Sequence, residues 1–224
     1  NNEPVWERVE HGLHGKHITI PQVFAGAGYR TANFGKSHLP HGIMPWQHHD
    51  PQGDMKSTLG PGTALQDIFS RGKVPAGMVQ LSGPPTMHAG VYPQDAPFPG
   101  EAVTDNGLDW LEQAKGPVFA RFSYLQPHTP VFPPEPYASR YRWEDFVEPF
   151  ETGTTSLFES WFGQMQHPDG DLTPEELGRT RAHYYGLAGW LDDQVGRILQ
   201  WLKTHDRLEN TILVFGSDHG VSLG

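Results

Sequence analysis

Apolar and polar positions fall in blocks along this chain, and the period of the pattern changes from block to block. The plainest block is the last. Thr211-Ile212-Leu213-Val214-Phe215-Gly216 is a continuous apolar run that breaks into Ser217-Asp218-His219-Gly220. Unbroken β-branched and aliphatic runs of this kind predict parallel strands buried on both faces. Val118 to Leu125 follows the same pattern, and Tyr29 to Phe34 alternates loosely as a strand. Between these runs the apolar period lengthens to that of a helix. Thr19-Ile20-Pro21-Gln22 starts a short helix, with Thr at the N-cap, Pro in the first turn and Gln closing a capping box. It carries Val23, Phe24 and Ala27, and Gly28 is its C′ stop. Thr104 caps a second helix through Leu108, Leu111 and Ala114, ended by Gly116-Pro117. Thr173-Pro174-Glu175-Glu176 opens a third, with Leu187, Leu191, Val195, Ile198 and Leu202 on one stripe. That helix should reach about Thr204, with Gly186 or Gly189 as the place for a bend.

The resulting order is helix, strand, helix, strand, long helix, strand. It predicts an α/β fold with right-handed crossovers, a mostly parallel sheet and helices on both faces. Residues 40–100 hold most of the irregular sequence, with Gly62 to Ser70 as a weak helix, and residues 130–172 form a second Pro- and aromatic-rich excursion. At 224 residues the chain can bury one sizeable core in one or two domains. Each predicted strand delivers polar residues at its carboxyl end: Lys36 and His38, then His128, then Asp218 and His219. Ligands of open α/β sheets bind beyond those ends. Three consecutive sets at one edge point to an active site.

Composition narrows the classes. The net charge of -10 and the lack of a Lys/Arg block exclude a nucleic-acid surface, although a few local cations still suit a small anion. No apolar stretch approaches the ~20 residues of a membrane span. Asn1 to Glu10 is polar and lacks the apolar core of a signal peptide, and neither compartment nor oligomeric state is legible. With no cysteine, the chain has no disulfide, thiolate zinc site or cysteine nucleophile. Its 26 Gly and 21 Pro, about a fifth of the residues, imply long ordered loops.

These motifs resemble a known family. Gly28-Tyr29-Arg30-Thr31 followed by Gly35-Lys36-Ser37-His38-Leu39 is similar to the second signature of the type I sulfatases, in the alkaline phosphatase superfamily. Pro127-His128-Thr129-Pro130 resembles the family's mid-chain Pro-His-x-Pro. Tyr184-Tyr185, Leu191-Asp192, Val195-Gly196 and Ile198-Leu199 resemble its long helix, and Asn210 to Gly220 its metal strand. The likeness covers roughly residues 17–39, 104–137 and 173–220, in the family's order. It implies an alkaline phosphatase-like α/β/α sandwich, incomplete in this chain. The family's Asp pair and its Cys-x-Pro-x-Arg or Ser-x-Pro-x-Arg segment, source of the formylglycine nucleophile, are absent from the sequence. The chain is therefore expected to be an internal part of a catalytic domain spanning residues 1–224, inactive alone, with formylglycine supplied by a segment outside it.

The resemblance assigns roles. Lys36 would bind a sulfate oxygen, His38 would assist release of sulfate, and His128 would protonate the departing alcohol. Asp218 would ligate a divalent metal, with Ca²⁺ preferred and Mg²⁺ or Mn²⁺ as alternatives. His219 would bind the metal or hold the sulfate. The partner implied is a sulfated small molecule or sulfated sugar. Each residue also has a plainer part to play: a surface lysine, a hydrogen-bonded histidine, a loop His128 stacked on Phe132 or Tyr137. Asp192 and Asp193 diverge by ~100° on a helix, which favours a solvated face or a helix-to-loop hydrogen bond over one metal. His11, His14, His17, His48 and His49 lack regular zinc-ligand spacing and are expected in loops. Phe132, Tyr137, Tyr141, Trp143 and Phe146 suit a substrate pocket and the packing of their own loop equally. Hydrolysis of a phosphate or phosphonate ester, a non-catalytic domain and a His-rich metal store are the alternative functions.

Overall fold

A computed structural model of the chain describes residues 18–37, 39, 44–66, 79–80, 88–147 and 173–220. The chain divides into two compact units, one of Asn1–Ser57 with Pro99–Leu125 and one of Thr58–Phe98 with Gln126–Gly224.

The first unit begins with helix α1 (Ile20–Gly26), started as its sequence requires by a Thr19 and Gln22 capping box. It stops in a Schellman turn: Tyr29 N–H donates to the Phe24 carbonyl, Gly28 N–H donates to that of Ala25, and Gly28 sits at φ +86°. Strand β1 (Arg30–Gly35) follows and runs parallel to β2 (His48–Asp50) on one side. On the other side β1 pairs with a later parallel strand, Val118–Ser123, called β5 below. β2 was not foreseen, because His48-His49-Asp50 carries no apolar signal. Gln47 begins the β1–β2 pairing in place of an ordinary ladder residue. Its side chain accepts from Thr31 N–H, and its own N–H donates to the Thr31 hydroxyl. A short helix α2 (Met55–Leu59), also unforeseen, comes after β2, its first three residues in this unit and its last two in the second.

Helix α3 (Glu101–Gln113) starts three residues before the expected cap. Thr104 is fully buried instead, its hydroxyl 2.7 Å from that of Tyr124. Helix α3 lies on one face of the sheet, where Ala32, Phe34 and Val103 form the core with Trp110, Phe122 and Tyr124 around them. Burying a side chain such as Phe34 contributes about 1.5–3 kcal/mol. Phe119 points to the opposite face by strand alternation, and there Phe24 of α1 stacks on it with ring centroids 4.4 Å apart. The sheet is thus parallel with a helix on each face, as expected. β5 is half-buried, with Arg121 exposed, rather than enclosed on both faces.

The second unit holds β3 (Val79–Gln80) and β4 (His88–Ala89), an antiparallel pair, with a parallel bridge from Ala89 to Val131. Its main element is α4 (Pro174–Thr204). The Thr173 hydroxyl accepts from Glu176 N–H, and the Glu176 carboxylate accepts from Thr173 N–H. Those two hydrogen bonds hold the Glu176 carboxyl below its ordinary range. Leu187, Ile198 and Leu202 of the predicted stripe are buried, with Trp190 and Trp201 beside them. The helix runs through Gly186 and Gly189 without a break. A Cβ at Gly186 would stand 2.6 Å from the Tyr137 carbonyl oxygen, so this glycine admits the close approach of a loop.

The run 211–217 does not form the predicted strand. It is irregular and exposed, with Ile212, Val214 and Phe215 at 93%, 88% and 71%. The reason is the partner, not the propensity. A strand exists by pairing, and the described strands of this unit, β3 and β4, pair with each other. Among the described residues no helix is long and apolar enough to cross a membrane.

Candidate active site

In the first unit the carboxyl ends of the parallel strands carry the polar groups. β1 ends at Gly35, whose φ of +85° turns the chain out of the sheet toward Lys36. Lys36 is half-buried, and its main-chain N–H donates to the Ser123 carbonyl at the end of β5, 2.8 Å away. The Ser37 hydroxyl is buried and has no hydrogen-bond partner among the described residues. At the end of β2 the Asp50 carboxylate accepts from the Asn106 amide at 2.7 Å and from Gln52 N–H at 2.9 Å. Asn33 is fully buried inside β1. Its amide nitrogen donates to the Gly35 carbonyl at 3.3 Å and to His49 Nδ1 at 3.1 Å, so the His49 proton sits on Nε2. Sequence reading passed over Asn33 and Asp50, and took His49 only as a loop histidine. The available signal was a carboxamide inside an otherwise buried strand. His38 lies outside the described residues, as do His11, His14 and His17. His48 and His49 occupy β2 rather than a loop, and His48 packs on Phe34 and Trp110.

In the second unit His128 is half-buried in a turn at 126–130, not in the extended segment its flanking prolines suggest. The Gln126-Pro127 and Thr129-Pro130 peptides are cis. His128 Nδ1 lies 2.6 Å from the Thr129 carbonyl, an acceptor, so Nδ1 carries the proton and Nε2 stays available. Asp218 and His219 sit side by side on the exposed segment after the apolar run. Asp218 Oδ1 accepts from His219 N–H at 2.9 Å, and Oδ2 lies 3.9 Å from His219 Nε2. The expectation that they stand at a buried strand end is corrected by their exposure of 79% and 71%.

A hard cation such as Ca²⁺ takes six to eight oxygen ligands. One carboxylate and one adjacent imidazole on an exposed segment do not make such a cage. Among the described residues no group of three or more His, Asp or Glu side chains could hold a metal. The acidic pair on α4 has the two roles anticipated for it: Asp192 is solvated, and Asp193 accepts from the Tyr137 hydroxyl at 2.6 Å. The aromatic loop packs on α4. Phe132 is buried, Phe146 stacks on Tyr185 at 5.0 Å, and Arg179 lies 5.5 Å over the Trp143 ring.

Comparison with known proteins agrees with the ordered motifs. The family model described as Sulfatase matches residues 1–224. The chain is 31% identical over 137 residues to an arylsulfatase of Clostridium perfringens, covering 56% of this chain and 27% of that protein. It is 27% identical over 236 residues to the iduronate 2-sulfatase of Homo sapiens, covering 94% of this chain and 41% of that one. Among solved structures it is similar to a phosphonate monoester hydrolase of Agrobacterium radiobacter, with a TM-score of 0.58 at 21% identity over 88% of this chain and 46% of that one. That likeness is one of fold, the alkaline phosphatase-like α/β fold. The chain spans less than half the length of these relatives. Because the family model matches residues 1–224 of this chain, the chain belongs to the sulfatase family.

Proposed function

We propose that this chain is the central part of a sulfuric ester hydrolase acting on a sulfated small molecule or sulfated sugar. The observation that carries the proposal is Lys36, set at the carboxyl end of the middle strand of a parallel sheet and tied through its main chain to β5. An ammonium there meets a sulfate oxygen as a compact point charge. His128, with Nδ1 engaged by the Thr129 carbonyl, protonates the departing alcohol from Nε2 as charge develops on the bridging oxygen. His38 assists release of sulfate, and His219 holds a sulfate oxygen. The family's nucleophile is a formylglycine, and this sequence has no cysteine and no Ser-x-Pro-x-Arg, so attack on sulfur is assigned to none of its residues. The described donors do not form a cage for a metal ion.

The test is turnover by the intact gene product of an aryl sulfate and an aryl phosphate with the same leaving group. A kcat/KM at least about tenfold higher for the sulfate, or ~1.4 kcal/mol of transition-state preference, supports sulfatase activity. The reverse order assigns phosphate or phosphonate esters instead. Turnover of neither substrate marks a non-catalytic domain.

A further inference from the structure

Asn33 is out of place by ordinary packing rules. It lies in β1 between Ala32 and Phe34 and is itself 0% exposed, yet its Oδ1 has no hydrogen-bond partner among the described residues. A buried carboxamide left half satisfied costs stability that Leu or Val would not. What it gains is local. The peptide unit joining Gly35 to Lys36 has two polar ends. Its carbonyl, on Gly35, accepts from Asn33 Nδ2 at 3.3 Å. Its N–H, on Lys36, donates to the Ser123 carbonyl of β5 at 2.8 Å. In a trans peptide these two groups point in opposite directions, so the plane is gripped from both sides.

The turn itself has little slack. Gly35 stands at φ +85°, where L side chains are strained, and an added Cβ there would run into the Ser123 carbonyl and the Val103 side chain. The plane gripped in this way is the one immediately before the Lys36 Cα, and its tilt sets the direction of the Cα–Cβ bond. His49 Nδ1, 3.1 Å from Asn33 Nδ2, fixes the carboxamide from β2. The edge of all three strands is thereby tied together at one peptide.

We infer that Asn33 is a positioning residue: its carboxamide clamps the Gly35–Lys36 peptide and so aims the Lys36 ammonium at the substrate anion. The anion-binding role of Lys36 rests on the function proposed above, whereas the clamp does not. Two readouts keep them apart. In hydrogen exchange, Asn33→Leu is expected to speed exchange of the Lys36 amide about tenfold while the Phe34 amide in mid-strand stays within about twofold, because local opening is released without global loss. In turnover of an aryl sulfate by the intact gene product, Asn33→Leu is expected to lower kcat/KM about tenfold at a temperature well below an unchanged or raised Tm. Asn33→Asp, which keeps an oxygen but loses both N–H donors, should behave alike in exchange.

Unchanged Lys36 exchange in both variants overturns the clamp. So does a rise in exchange shared equally by Phe34, which marks a merely structural role. Faster Lys36 exchange with unaltered kcat/KM overturns the positioning role, and a Lys36→Ala control then says why. If that control is also fully active, the assignment of Lys36 to the anion has failed rather than the clamp.

Discussion

Single side chains here separate into those that do chemistry and those that resist it. In the function proposed above, His128 is of the first kind. With its Nδ1 proton held by the Thr129 carbonyl, it can act as an acid from Nε2 without turning over. His128→Ala is expected to lower kcat of the intact gene product on an alkyl sulfate by about 10²–10⁴. On an aryl sulfate, whose phenolate leaves without a proton, the loss should be much smaller. Equal losses on the two substrates would remove the general-acid role. His183 is of the second kind. It is buried on α4, its Nδ1 has no partner among the described residues, and burial pushes its imidazole down from 6.5 to about 4. Arg179 one turn away adds to the depression, and Glu135 opposes it. The unfolded chain takes up this proton near its ordinary value, while the folded chain refuses it. The stability His183 contributes is therefore complete above about pH 6.5 and lost as pH falls toward 4, in all about 3 kcal/mol. Urea unfolding of wild type and His183→Leu at pH 7.5, 5.5 and 4.5 reads the difference. The variant should lose less stability on acidification, and parallel losses would mean the histidine is not buried neutral.

At the level of elements, local signals were legible and pairing was not. Both N-caps built on Thr-x-x-Gln/Glu with Pro in the first turn gave helices where expected, because a cap satisfies its own neighbours within four residues. Thr104 shows the limit. It has a capping side chain, yet the helix starts at Glu101 and the hydroxyl bonds Tyr124, twenty residues away. β2 escaped notice because parallel pairing to β1, not apolar pattern, makes His48-His49-Asp50 a strand. The glycines of α4 turn this distinction into an experiment. Gly186 and Gly196 both lie inside the helix, where Ala is better than Gly by about 1 kcal/mol. A Cβ at Gly196 meets nothing within 4 Å, so Gly196→Ala should raise the Tm. A Cβ at Gly186 would stand 2.6 Å from the Tyr137 carbonyl and 3.1 Å from Pro133, so Gly186→Ala should lower it despite the same gain in propensity. The Tyr137 hydroxyl also anchors this loop through Asp193, and the loop cannot simply step aside. Equal shifts in the two variants would show that the contact at Gly186 is loose.

For the molecule as a whole, the motifs named the family, but the geometry of the site is partly a matter of partners distant in sequence. Lys36 is presented by a sheet edge that Gly35-Lys36 alone could suggest, whereas the groups that fix it, Asn33 and Ser123, were invisible to motif reading. The apolar run 211–215 is the converse, a sequence with every mark of a buried strand that stands exposed. Propensity reports that a segment fits a pleated, half-buried surface, and here the described strands of its own unit, β3 and β4, pair with each other. Five residues with no charge, four of them β-branched or aromatic, left unpaired, form a template for edge-to-edge association. The chain of 224 residues should therefore self-associate as its concentration rises, read by light scattering after gel filtration. Val214 is 88% exposed, so Val214→Lys removes little packing and inserts a charge into the template. It is expected to reduce association markedly and to leave the Tm within about a degree, since exposed substitutions usually stay within ±0.5 kcal/mol. A clear fall in Tm would instead mean that Val214 is packed in solution, and that the run has found the sheet for which its sequence is written.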